Sequence, residues 1–256
     1  MTGAARPLPA GTIGDVLARL DLIIENCLRD RSRLGYFAAL YRTVTRRVRD
    51  GIAACRFENG PRMERLDVIF ANRYLDAVDR LWRGEEPTCS WRLAFRAAER
   101  RAPTILQHLL VALNAHINLD LAVAAAEAAP GDSLSGLKRD FDEITVLLDE
   151  MIQDVQERIE SVSPWLAVID VVGGRTDEQV GAFAIGKARS LAWCAAETLS
   201  PLGPEARAEE ISCHDGVVVV VGEGIFSFGS LLRTALLLAR SRETRPVPEV
   251  IEALAT

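Results

Sequence analysis

The stretch "LQHLLVALNAHINLDLAVAAAEAA" (residues 106–129) is the longest apolar segment of the 256-residue chain. Apolar side chains occupy nearly all directions around a helix of about 3.6 residues per turn, which is typical of a helix buried in a core. The segment follows Pro103 and is stopped by the turn residues "PGDS" at 130–133. It therefore predicts a central helix against which the rest of the chain packs.

The segments on both sides of this helix also have helical spacing, with apolar residues three and four positions apart. They span residues 12–30, 33–54, 61–83, 137–162 and 177–199. Because neither an alternation of strands and helices nor an internal repeat is visible, we predict an all-α, single-domain helical bundle of about seven to nine helices over residues 12–256. Residues 1–11 are rich in Pro, Gly and Ala and predict a flexible N-terminus.

Five consecutive valines at 217–221 make residues 200–256 harder to assign. Their β-propensity favours a buried strand. A lone strand in a helical chain has no partner to pair with, and tertiary context often overrides propensity. We therefore expect a helix here, with a strand as the alternative.

Composition excludes several classes of function. The net charge of −6 argues against nucleic acid as a partner, because phosphate binding requires a concentrated basic surface. No uninterrupted apolar run reaches about 18 residues, so we expect no membrane span. The N-terminal residues lack the apolar core of a signal peptide. The five cysteines are widely spaced without a CxxC pair, which favours a reducing, cytoplasmic location.

The central helix contains an ordered stripe of polar residues. Positions four apart lie nearly above one another on a helix, so His108, His116 and Asp120 form one ladder. Asn114 and Asn118 form a second ladder beside it. Buried polar groups cost about 1–3 kcal/mol each when unpaired, so the stripe requires partners from a neighbouring helix.

The 61–83 helix offers such partners, since Glu64, Asp67 and Tyr74 lie along it. A histidine with a carboxylate four residues later can bind a metal ion, or the carboxylate can orient the imidazole as a general base. For the first chemistry, the predicted ligands of iron, manganese or zinc are His108, His116, Asp120 and Glu64. For the second, the predicted catalytic residues are His116, Asp120, Asn114, Asn118, Asp67 and Tyr74. The HExxH and ExxH spacings of known metal sites are absent.

Two functions fit this pattern. The first is an enzyme that performs acid–base or metal-assisted chemistry on a small, largely apolar molecule, with His116 and Asp120 at the centre. The second is a non-catalytic structural or interaction protein, or a homodimer, whose buried network fixes the helix packing. The sequence "SCHD" (212–215) is not expected to be catalytic, because adjacent residues in a loop seldom face each other.

The chain resembles DUF5995, a bacterial family of unknown function, over roughly residues 30–200. The resemblance rests on "RMERLDVIFANRYLDA" (62–77) and "LQHLLVALNAHINLDLAVAAAE" (106–127), and extends to 34–52, "DFDEI" (140–144), "SPW" (163–165) and "GGRTDE" (173–178). It implies no particular activity; a place in bacterial secondary metabolism belongs to the enzyme hypothesis above. The matching residues include Asp67, Asn72, Tyr74, Asp76, His108, Asn114, His116, Asn118 and Asp120.

Overall fold

A computed structural model describes residues 8–163, 177–227, 236–237 and 239–255. Within these ranges the chain is helical and forms no strand. The helices are α1 (Ile13–Asp30), α2 (Leu34–Ala53), α3 (Gly60–Arg83), α4 (Cys89–Glu99), α5 (Ile105–Leu113), a π-helical segment (Asn114–Asp120), α6 (Leu121–Ala128), a 3-10 turn (Gly131–Ser133), α7 (Leu134–Val162), α8 (Asp177–Leu199), α9 (Pro204–Gly224) and α10 (Val247–Ala255).

The predicted central helix is the continuous run of α5, the π-helical segment and α6. It begins with a capping box, in which Thr104 and Gln107 bind each other's backbone N–H groups. It packs against α2, α3 and α4, and also against α8 and α9. By length and composition, Ile105–Ala128 is apolar enough to cross a membrane, but 78% of its most apolar window is buried inside the protein. A helix of the protein core is buried to this extent.

The π-helical segment is the main departure from the regular helix that the sequence predicts. Its backbone hydrogen bonds run from residue i to residue i+5, as from the Leu121 N–H to the His116 carbonyl. The wider turn coincides with the polar stripe. Within this segment, the Asn118 carbonyl oxygen lies 2.7 Å from Nε2 of His214 on α9. A side chain of a neighbouring helix therefore bonds to this carbonyl group.

Three buried carboxylates from later parts of the chain cap the N-termini of three earlier helices. Asp140 of α7 accepts the backbone N–H groups of the two residues before α3, at 2.6 and 3.2 Å. Asp215 of α9 accepts those of the first two residues of α4, at 2.6 and 2.9 Å. Glu243 accepts that of the first residue of α5 at 3.0 Å. Each negative charge therefore lies at the positive end of a helix dipole.

The all-α prediction is confirmed, and over the described ranges the separate helices slightly outnumber the seven to nine predicted. The five valines lie within α9, so the helical alternative for 217–221 is the observed one. Within the predicted flexible N-terminus, Ala10 is buried and exchanges two hydrogen bonds with the Asn72 side chain, at 2.8 and 2.9 Å. The "SPW" and "GGRTDE" motifs lie largely outside the described residues.

Candidate functional site

His116 and Asp120 form a fixed pair inside the protein. His116 Nδ1 lies 3.3 Å from Asp120 Oδ2, and the two residues are 3% and 0% exposed. Asp120 also accepts hydrogen bonds from Arg73 Nε at 2.9 Å and from Trp91 Nε1 at 2.8 Å. Because this carboxylate accepts every bond it makes here, Nδ1 of His116 is the protonated ring nitrogen. His116 Nε2 is then left with a free lone pair.

Aromatic rings enclose the His116 imidazole. The Phe70 ring stacks on it with centroids 3.7 Å apart, and the Tyr41 ring meets it edge-on at 4.4 Å. Three further rings lie between 5.4 and 6.2 Å away. We call this set the aromatic cage; it consists of Phe37, Tyr41, Phe70, Tyr74 and Trp91. The cage excludes water from the imidazole, so burial lowers the pKa of His116 although Asp120 acts in the opposite direction.

Four buried polar atoms in and beside the cage lack a hydrogen-bond partner among the described residues. They are His116 Nε2, the hydroxyl oxygens of Tyr41 and Tyr74, and Asp67 Oδ2. The negative charges of Asp67 and Asp120 both act on the Tyr41 hydroxyl, which places these groups near one another. Buried polar groups are nearly always paired, so a cluster of unpaired ones is typical of a binding or catalytic site.

Burial changes how readily these groups ionise. It raises the pKa of Asp67 to about 7, helped by the negative charge of Glu64. It also raises the pKa values of Tyr41 and Tyr74 well above the usual range for tyrosine. Near neutral pH the two tyrosine hydroxyls therefore keep their protons, whereas the carboxyl group of Asp67 is present in both its protonated and its ionised form.

His108 lies between two small cavities. The outer cavity, of about 60 Å³, is lined by Tyr36, Glu243 and three arginines as well as by His108. The inner cavity, of about 20 Å³, is lined mainly by apolar residues, including Ala112 and the cage residues Phe37, Tyr74 and Trp91. Ala112, four residues after His108, lines the inner cavity with it, whereas His116 and Asp120 line neither cavity.

The predicted metal site is not assembled. Among the described residues, no group of three or more His, Cys, Asp or Glu side chains is arranged to hold a metal ion. Glu64 caps α1 by accepting the Ile13 N–H at 3.3 Å. Asp120 is already bonded to Arg73 and Trp91. The predicted ligands His108, His116, Asp120 and Glu64 are therefore not brought together in the part of the chain that the structure describes, and both carboxylates of the set have other partners.

The two asparagines of the stripe face α9. Asn114 Nδ2 donates to the Val218 carbonyl at 2.8 Å, and Asn118 Nδ2 donates to Asn114 Oδ1 at 2.9 Å. Gly222 allows this contact, because a Cβ atom there would lie 3.1 Å from Asn114 Nδ2. Asn118 also lines a separate cavity of about 350 Å³ between α8 and α9.

Sequence reasoning missed several residues of this site. Arg73 and Trp91 bind Asp120, and Tyr41 and Phe70 form the inner wall of the cage. Phe70 had a visible signal, because it lies three positions after Asp67 on α3 and shares a face with it, whereas Arg73, six positions after Asp67, points away from that face. Tyr41 and Trp91 had none, since they come from helices whose packing the sequence does not reveal.

The fold and the site define an all-helical protein with a buried histidine–aspartate pair in an aromatic cage. A family model described as "Family of unknown function (DUF5995)" matches residues 13–228, and the chain belongs to this family. Comparisons with curated proteins and with solved structures gave no match.

Proposed function

We propose that the protein is an enzyme in which His116 Nε2 acts as a general base on a small, largely apolar molecule. The observation that supports this most strongly is the state of the imidazole. One ring nitrogen is fixed by Asp120, while the other is buried and has no partner among the described residues. A base oriented by a carboxylate, with its second nitrogen free, is the arrangement found in many acid–base active sites.

The surrounding groups suit the same chemistry. When Nε2 takes a proton from the substrate, the carboxylate of Asp120 stabilises the imidazolium that forms. The hydroxyls of Tyr41 and Tyr74, which stay protonated, can donate to an oxygen on which negative charge develops. Asp67 can supply or accept a proton near neutral pH. The small inner cavity borders the cage, because Phe37, Tyr74 and Trp91 belong to both.

Substrate consumption tests the proposal directly. The purified full-length protein is incubated with an extract of cellular metabolites, and the changes are followed by mass spectrometry. We expect the wild type to consume at least one metabolite and His116→Gln to consume none. The matched control is His214→Gln, because His214 Nε2 is already bonded to the Asn118 carbonyl. That variant should retain the activity.

Spectroscopy of the imidazole provides a second readout that does not depend on the substrate. The nitrogen NMR signals of His116 should show a protonated Nδ1 and an unprotonated Nε2 at neutral pH. A protonated Nε2, or a His116→Gln protein that is folded and fully active, would contradict the assignment of His116 as the base.

Specific contacts also favour the structural alternative as a second candidate. Asp120 is fully bonded, and Asn114 fixes α9 to the central helix. If the network serves only to hold the helices, His116→Gln should lower the melting temperature, and the wild type should consume no metabolite. Both results together would favour a non-catalytic protein, with the homodimer as one form of it.

The location of the protein stays a prediction. All five cysteines are free thiols, and four of them are exposed, which supports the reducing cytoplasm proposed from the sequence. A role in bacterial secondary metabolism is likewise a proposal, for which the family match offers no activity.

A further inference from the structure

The lining of the outer cavity at His108 contains more basic than acidic side chains, with three arginines against one carboxylate. Arg33, Arg240 and Arg245 line it. Within the described ranges, none of these guanidinium groups forms an ion pair with a carboxylate. Arg33 and Arg240 do bond to backbone carbonyls, Arg33 to that of Ala98 at 3.2 Å.

The one acidic residue in the lining is engaged elsewhere. Glu243 accepts the Ile105 N–H at 3.0 Å and the Ser163 hydroxyl at 2.6 Å, so its oxygens face the start of α5. Burial raises the pKa of this carboxyl group, whereas its bonds to Ser163 and Ile105 and the charge of Arg240 act in the opposite direction. The three arginines therefore leave an excess of positive charge at the cavity.

His108 provides a second, independent indication of a ligand. It is 6% exposed, and neither ring nitrogen has a hydrogen-bond partner among the described residues, although it lines both cavities. Burial and the charges of Arg33, Arg240 and Arg100 lower its pKa to about 4. The imidazole is thus neutral, and can donate one hydrogen bond and accept another inside the cavity.

We propose that the outer cavity binds the carboxylate of a small organic acid, through Arg33, Arg240 and His108, and that the apolar part of this acid lies beside His108, on the side of the inner cavity. Guanidinium groups pair well with carboxylates. A water-sized group occupies about 10–15 Å³ of such a volume, so the outer cavity of about 60 Å³ accommodates a carboxylate and a few further atoms. The inference rests on the proposed function, since it names the class of substrate that would reach the cage.

Butyrate is the probe, because it joins a carboxylate to a short apolar chain. Its binding to the full-length protein is measured by calorimetry and by the His108 C2 proton signal. The chain has three histidines, so this signal is assigned by substitution. We expect one saturable site per chain and a rise in the pKa of His108 on binding, because the added negative charge favours the imidazolium.

Substitutions identify the groups that hold the anion. Arg33→Gln and Arg240→Gln should each weaken butyrate binding by about tenfold or more, which is the usual effect of losing a charged hydrogen bond. Arg33→Lys, which keeps the charge, should retain more of the affinity than Arg33→Gln. Arg242→Gln is the matched control, since Arg242 is an exposed neighbour that does not line the cavity. It should bind butyrate like the wild type.

Three outcomes would overturn the proposal: no saturable binding of butyrate, unchanged binding by a folded Arg33→Gln, Arg240→Gln double variant, or equally tight binding of 1-butanol. Inorganic phosphate bound as tightly as butyrate would overturn the choice of a carboxylate. His116→Gln separates the two proposals, because it should bind butyrate normally while consuming no metabolite. A loss of butyrate binding in the arginine variants would support the anion site even if the wild type proved inactive.

Discussion

Replacing Asp67 with asparagine should change how the stability of the protein depends on pH. Asp67 is 6% exposed, and burial raises its pKa from the ordinary 3.8 to about 7. Between these values the folded state holds a proton that the unfolded state has lost. The contribution of Asp67 to the free energy of unfolding is therefore greatest below about pH 4, and it is lost as the pH rises through about 7.

The size of the effect follows from the shift. One pKa unit corresponds to about 1.4 kcal/mol, so a shift of about three units costs the folded wild type about 4 kcal/mol at alkaline pH. Asparagine carries no charge and avoids this cost. The difference in unfolding free energy between Asp67→Asn and the wild type should therefore grow by about 4 kcal/mol from about pH 4 to about pH 8.

Urea unfolding across this pH range measures the difference, and subtracting the wild-type curve cancels the contributions of other groups that titrate alike in both proteins. Asp142→Asn is the control, because Asp142 is 58% exposed and pairs with Lys138 on the surface of α7. Its difference from the wild type should stay within about 0.5 kcal/mol at every pH. A pH-independent difference for Asp67→Asn would refute the reasoning, since it would show that the buried carboxylate is stabilised by a partner.

Three further predictions use the same unfolding assay. Asp215→Ala should cost about 1–3 kcal/mol, because it leaves the N–H groups of Cys89 and of the buried Ser90 at the start of α4 without their acceptor; an unchanged midpoint would show that this cap is dispensable. Gly222→Ala should cost about 1–3 kcal/mol, since its Cβ would lie 2.8 Å from a Leu93 side-chain atom. In contrast, Gly216→Ala on the same helix meets nothing within 4 Å and should stabilise by up to about 1 kcal/mol. His108, whose pKa falls from 6.5 to about 4, should make the wild type lose about 3 kcal/mol as the pH drops through that interval. The His108→Gln variant should not show this loss of stability between about pH 6.5 and 4. If its stability fell with pH as that of the wild type does, the prediction would be contradicted.

Most of the fold was predictable because helical periodicity and caps are local properties. The Thr12 cap and the end of α3 at Gly84 both follow from residue types at fixed positions. The helix at 217–221 was also predicted, from the lack of any strand that could pair with it. The π-helical segment was not predictable, because the apolar spacing of the central helix does not distinguish a π-helical turn from an α-helical one.

The candidate site was predictable only along the central helix. The spacing of His116 and Asp120 predicted their pairing, and the structure has the hydrogen bond. The other partners of Asp120 and the walls of the cage come from four different helices. The four predicted metal ligands are not brought together among the described residues for a related reason. A single helix indicates which side chains share a face, but it does not show which of them already have partners.

The long-range caps have a consequence for synthesis on the ribosome. The helices α3, α4 and α5 leave the exit tunnel before Asp140, Asp215 and Glu243 have been made, so each emerges with its first N–H groups bound only to water. The caps of α4 and α5 are completed only when Asp215 and Glu243 arrive. A nascent chain stalled before that point would lack α9, one of the helices that cover the apolar central helix. Such a chain is more prone to aggregate until these residues have been made.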